Sequence, residues 1–184
     1  MNTSEIFKKK TTFSFEVFPP KKTSPIETIY KTLDELKNLK PDFISVTFGA
    51  GGSENSDTTL SIANRIKTVC GVESVVHLPC IHLTKEKVTN LLTDFRAAGI
   101  ENILALRGDK VEGKEPCSDF LHASDLIKFI KDFFIKSLKL SANRSFVSSS
   151  NSLGLFKARH LYTLSSYWES ILENLLLSPS FFSR

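Results

Sequence analysis

Asn102-Ile103-Leu104-Ala105-Leu106-Arg107-Gly108-Asp109 is a short, nearly all-apolar run followed at once by a cation, a glycine and a carboxylate. Such a run suits a strand covered on both faces, the condition of strands in parallel sheets. Three earlier stretches repeat the scheme at intervals of about thirty residues: Ser14-Phe15-Glu16-Val17-Phe18-Pro19-Pro20, Val46-Thr47-Phe48-Gly49-Ala50 and Val76-His77-Leu78-Pro79-Cys80. Each ends in polar or turn-forming residues, and each is followed by apolar residues at helical spacing. Strands alternating with helices in this way predict an α/β fold of the (β/α)8 TIM-barrel type. A whole barrel of that type takes roughly 250 residues, so a chain of 184 is expected to hold about the first four strand-helix units.

The element boundaries follow from the same pattern. Strands are predicted over 12–18, 43–48, 74–78 and 102–106, the first closed by a diproline that cannot continue a ladder. Between them, helices are read from Ile26, Ile29, Tyr30, Leu33 and Leu36, from Leu60, Ala63 and Ile66, and from Val88, Leu91, Leu92 and Phe95. Gly71 is placed as a left-handed cap after the second of these. A fourth helix shows Leu126, Ile127, Phe129, Ile130 and Phe133. Beyond residue 135 the cadence stops: residues 136–184 hold 13 serines, no aspartate and a single glycine. The sequence therefore divides into an ordered segment, 11–134, and a tail, 135–184. In that tail Ser148 to Ser152 resembles a linker, and Trp168 to Leu176 suggests a short helix near 167–177.

Charge excludes some functions. Residues 1–135 carry 18 Lys/Arg against 18 Asp/Glu and residues 136–184 carry 6 against 2, so the net +4 belongs entirely to the tail. Lys8-Lys9-Lys10 lacks interleaved aromatics and reads as a solvated arm, which argues against a nucleic-acid partner. No apolar run reaches 18 residues, which argues against a membrane partner, and the start has no signal sequence; a cytoplasmic location is expected. Cys70, Cys80 and Cys117 have no framework spacing and fit reduced thiols.

Glu16 is the sharpest candidate for chemistry. It points to the opposite side of its strand from Phe15 and Val17, and a carboxyl set among Phe15, Phe18 and prolines is expected to favour its protonated form, as a general acid requires. The other reading is a rim glutamate that caps a helix or pairs with a lysine. For Arg107-Gly108-Asp109, a glycine allowing close approach beside a forked donor suits an anionic ligand, and a turn closed by a local Arg–Asp pair stands beside it. His77-x-x-Cys80-x-His82 invites a zinc reading but lacks a fourth ligand, so no metal is assigned. Gly49-Ala50-Gly51-Gly52 could cradle an anion without being a P-loop.

Together, Phe15-Glu16-Val17-Phe18-Pro19-Pro20, Ser45-Val46-Thr47-Phe48-Gly49-Ala50, His77-Leu78-Pro79-Cys80 and Ala105-Leu106-Arg107-Gly108-Asp109 resemble the methylenetetrahydrofolate reductase family over roughly residues 11–134. The resemblance implies an enzyme that uses FAD and NADH or NADPH to reduce 5,10-methylenetetrahydrofolate to 5-methyltetrahydrofolate for methionine synthesis. It further implies a folate substrate and, for the family, a homo-oligomer. On it, Glu16 matches the general acid and Asp109 a carboxylate near flavin and folate. Thr47, Phe48, Ala50, His77, Arg107, Gly108, Asp109, His122 and Ala123 match flavin-contacting positions. The family's later segments are not recognisable after about residue 135, which is read as replaced sequence, and the chain alone is expected to hold FAD weakly or not at all and to lack measurable folate reduction. The rival is a non-catalytic piece that binds flavin or a partner weakly, or misfolds.

Overall fold

In the computed structural model the described residues are 3–21, 23–48, 56–110, 113, 115–117 and 119–149, with side chains described through residue 137. They fall in two compact units, 1–126 and 127–184. In the first, the chain runs α1 (Thr3–Lys9), β1 (Ser14–Val17), α2 (Glu27–Leu36, continued by a 3-10 turn at Lys37–Leu39) and β2 (Phe43–Val46). It then passes through α3 (Ser56–Thr68), β3 (Glu73–Pro79), α4 (Lys85–Ala97) and β4 (Asn102–Leu106) before α5 (Ala123–Ser149) begins. The strands form one sheet in the order β1-β2-β3-β4, and each neighbouring pair is parallel. This is the arrangement of the first four units of a (β/α)8 barrel, as the sequence predicted.

The predicted strands are all present, with β1 and β2 shorter at their ends. Pro19 and Pro20 lack the N–H that a longer β1 would need. Alternation places Val17, Ile44, Val46, Val76 and Leu78 on one face, and all five are buried. This is the face that the helices cover: α3 packs on β2 and β3, with Ile62, Ala63 and Ile66 buried, and α4 buries Val88, Leu91, Leu92 and Phe95. Thr84 caps α4, its hydroxyl accepting from the Lys87 N–H at 3.2 Å. Gly71 has φ +68°, the left-handed conformation predicted for it. At Gly99 the chain leaves α4 with Ile100 N–H on the Phe95 carbonyl (2.9 Å) and Gly99 N–H on that of Arg96 (3.1 Å), the paired bonds of a Schellman cap.

Lys8, Lys9 and Lys10 are exposed, as read, but the segment that carries them is not a free arm. Thr3–Lys9 is helical, Ile6 is buried, and Phe7 meets Phe43 edge to face at 5.8 Å. The Thr3 N–H and hydroxyl donate to Asn102 Oδ1 at 2.9 and 3.2 Å, while the Asn102 amide donates to the Ser74 carbonyl at 3.3 Å. Lys8 and Lys9 occupy the last turn of α1, where the helix dipole favours cations. Lys10 pairs with Asp42, whose carboxyl is held below the usual range by Lys10 first and then by the Phe13 N–H. Phe43, Ser74 and Asn102 stand at the N-terminal ends of β2, β3 and β4. The strap therefore ties the end of the sheet away from the rim that carries the candidate chemistry.

In the fourth helix Leu126, Ile130 and Phe134 are the buried positions, one side chain round from the predicted Phe133. Phe133 and Phe134 meet edge to face at 5.3 Å. The helix also continues to Ser149, well past residue 135 and through two serines that the sequence read as linker. No proline or glycine lies between Ala123 and Ser149 to stop it, and serine lowers helix propensity only modestly. The predicted helix near 167–177 lies outside the described residues.

Candidate active site

Elementary strand alternation sets up the first part of the site. Phe15 and Val17 turn to the helix-covered face of β1, so Glu16 turns to the other. Glu16 pairs in register with Ser45, and Val46 pairs with Val76, which puts Thr47 and His77 side by side one step further on. Glu16 Oε2 lies 3.5 Å from His77 Nε2. Burial pushes the imidazole of His77, only 9% exposed, below its ordinary value of 6.5, and the Glu16 charge opposes part of that shift.

The setting of Glu16 differs from the one expected. Its side chain is 49% exposed, and Phe18, expected to help enclose it, is 65% exposed. Phe15 packs instead against Phe13, ring centroids 4.9 Å apart. The carboxylate stands beside an imidazole, not in an apolar pocket, and among the described residues no lysine pairs with it.

Thr47 is fixed by its backbone. Its N–H donates to the Val17 carbonyl at 3.0 Å, and its own carbonyl accepts from the Thr59 hydroxyl at 3.2 Å, joining the end of β2 to α3. Its hydroxyl is buried and has no hydrogen-bond partner among the described residues. Phe48 next to it is buried. Ala50 and the Gly49–Gly52 loop lie outside the described residues.

The remaining candidates gather beyond β4. The Arg107 carbonyl accepts from Ile81 N–H at 2.8 Å and Cys80 N–H at 3.2 Å, and its guanidinium Nε donates to the Leu121 carbonyl at 3.1 Å. Arg107 thus braces the loop against itself, and no ion pair joins it to exposed Asp109. Gly108 has φ +83°, and a Cβ there would stand 2.8 Å from that of Pro79. Conformation and space both require glycine. His122 is exposed, its Nδ1 3.7 Å from Asp125 Oδ2, and Ala123 opens α5.

Asp125 was not singled out in the sequence, yet it orders this loop by accepting from the N–H groups of Leu121 (3.2 Å) and His122 (2.9 Å). The signal was available: an acid three residues into the helix reaches back to the cap position, as in a capping box. The zinc triplet separates. His77 faces Glu16, the Cys80 thiol lies toward the carbonyls of His122 (3.6 Å) and Arg107 (3.8 Å), and both His82 nitrogens are buried without partners. Burial raises the Cys80 thiol above its ordinary value. The structure thus brings Glu16, Thr47 and His77 together at the ends of β1 to β3. Arg107, Gly108, Asp109, His122 and Ala123 lie beyond the end of β4 and at the start of α5.

Fold and rim together define the class: a parallel α/β protein with a carboxylate and an imidazole at the carboxyl ends of its strands, where such folds carry enzyme sites. The family model described as methylenetetrahydrofolate reductase matches residues 2–142, and the chain belongs to that family of oxidoreductases. It is 39% identical over 126 residues to a probable methylenetetrahydrofolate reductase (NADH) of Oryza sativa, covering 66% of this chain and 21% of that protein. It is 41% identical over 120 residues to the 5,10-methylenetetrahydrofolate reductase of Pectobacterium carotovorum, and 40% identical over 119 residues to that of Escherichia coli K12. Each of those two matches covers 65% of this chain and 39% of the relative. The matched segment is therefore about a fifth to two fifths of the length of these relatives.

Proposed function

We propose that this chain takes part in the reduction of 5,10-methylenetetrahydrofolate to 5-methyltetrahydrofolate with NADH or NADPH, and that it carries the proton-donating part of the site. The observation that carries the reading is Glu16 at the end of β1 with its carboxylate 3.5 Å from His77, in a chain of this family. Glu16 is the proton donor that helps open the methylene-bridged ring of the folate, leaving an electrophilic iminium carbon. Its half-exposed side chain suits a group that must reach a substrate arriving from solvent.

FAD fits the residues present on one structural count: the Thr47 hydroxyl, buried at the rim with no partner among the described residues, is a polar group that a bound ligand atom would satisfy. Thr47, Phe48, Ala50, His77, Arg107, Gly108, Asp109, His122 and Ala123 are the residues that would hold the cofactor. Bound there, it would supply hydride transfer from the nicotinamide to the folate. Asp109 places a negative charge at the rim, and Gly108 allows the backbone to approach closely.

The test is formation of 5-methyltetrahydrofolate by the purified chain with excess FAD and NADH, followed by chromatography with and without the folate substrate. Folate-dependent product is the expected outcome. A second reading, a non-catalytic piece that binds flavin or a partner, is favoured by the 39% coverage of the bacterial relatives. Retention of FAD with no product selects that reading and rejects the first.

A further inference from the structure

We propose that His77 is the positioning residue of Glu16: its neutral imidazole donates Nε2–H to Glu16 Oε2, leaving Oε1 as the oxygen that carries and delivers the proton. This rests on the reading of Glu16 as proton donor and adds to it which oxygen acts and what holds it.

Three observations lead there. His77 Nε2 and Glu16 Oε2 are 3.5 Å apart, a distance that catalytic hydrogen bonds commonly show before a ligand arrives and shortens them. The two partners differ sharply in freedom: the His77 side chain is 11% exposed and sits on the middle pair of the β3–β4 register, whereas that of Glu16 is 49% exposed. An anchored imidazole can restrict a mobile carboxylate, while the reverse is not available. Finally, on the strand between them the same face carries Phe43, Ser45 and Thr47, and on β4 it carries Asn102, Leu104 and Leu106, none of them charged. Among the described residues beyond β4 the charged and titratable groups include Arg107, whose Nε donates to the Leu121 carbonyl, Asp109, Lys110 and the His122–Asp125 pair. The charge that acts on His77 is that of Glu16.

The proton balance is simple. The protonated Oε1 gives its proton to the folate nitrogen whose bond to the methylene carbon breaks, and Glu16 becomes a carboxylate. Its Oε2 keeps the Nε2–H bond throughout, now charge-assisted and stronger. No proton passes to His77, which burial keeps neutral.

Three variants and a probe that needs neither cofactor nor substrate test the pairing. The chain is labelled with ¹³C at glutamate side chains and ¹⁵N at histidines; the Glu16 carboxyl resonance is followed at fixed pH and the His77 imidazole is titrated by NMR, folding being checked by circular dichroism. His77→Leu, which has no donor, is expected to move the Glu16 carboxyl resonance, whereas His77→Gln, whose amide can donate from near the Nε2 position, restores it. Glu16→Gln is expected to lower the His77 midpoint by about 0.5 pH unit or more, the size of a unit charge acting at this distance through a partly solvated path. If the Glu16 resonance and the His77 midpoint both stay unchanged when the other partner is removed, the pairing is wrong. The outcome separates from the reading beneath it: coupled signals with folate turnover untouched by Glu16→Gln keep the pair and reject the proton donor. Uncoupled signals with turnover lost in Glu16→Gln do the opposite.

Discussion

On the helix-covered face of the sheet Ile44, Val46, Val76 and Leu78 are fully buried, whereas on the opposite face Leu104 is 43% exposed and Glu16 stands beside His77. Both faces come from the same four strands, and single-residue alternation is all that separates them. The dry face holds apolar residues and makes the fold. The other carries polar and titratable groups, among which Glu16 is half exposed and open to a ligand while His77 is buried beside it. Stability and chemistry are thereby assigned to different side chains of the same strands, and substitutions on the two faces should differ in kind.

The largest difference is expected for Leu78→Ala. Removing a fully buried side chain should cost about 2–5 kcal/mol, measured as a shift in urea midpoint at constant slope, while Leu104→Ala on the other face should cost about 1 kcal/mol or less. Equal losses would break the comparison. Next comes Gly108→Ala at the rim, where a positive φ and a Cβ 2.8 Å from Pro79 both oppose the change. About 1–3 kcal/mol is expected, and a neutral result would mean that the loop shifts freely. Thr84→Ala, which removes only the cap of α4, should cost about 1 kcal/mol.

The smallest effect expected is the pH response of His77. Its folded pKa lies below the unfolded value of 6.5, so the folded chain binds fewer protons than the unfolded one in that window. The stabilisation is complete above about 6.5 and is lost as pH falls from there through the folded value. His77→Gln should flatten that part of the profile, read from thermal midpoints at successive pH values. The contributions of Asp34 and Asp42, whose carboxyls are held low by Lys37 and Arg65 and by Lys10, fall away only in the acid range.

The dry face was the legible one. Apolar spacing in 88–95 and the unbroken run 102–106 fix their elements because burial on the helical side demands those residue types. Strand alternation likewise put Glu16 on the other face. What alternation could not supply was its neighbour two strands away, since the pairing with His77 depends on register across β2. The bonds of Asn102 to Thr3 and of Asp42 to Lys10 span long stretches of chain, so the N-terminal helix was read as an arm. The extension of α5 was missed for a different reason: a serine-rich composition was taken as a break where no helix-breaking residue stands.

The central claim is that Glu16 supplies the proton, and the most direct test compares the wild-type chain with Glu16→Gln in folate reduction with excess FAD and NADH. Glutamine keeps the size of the side chain and, at a half-exposed position, should alter stability by no more than about 0.5 kcal/mol. The account predicts a loss of folate-dependent turnover of about 100-fold or more, the usual worth of a positioned acid. Equal rates in the two proteins would contradict it.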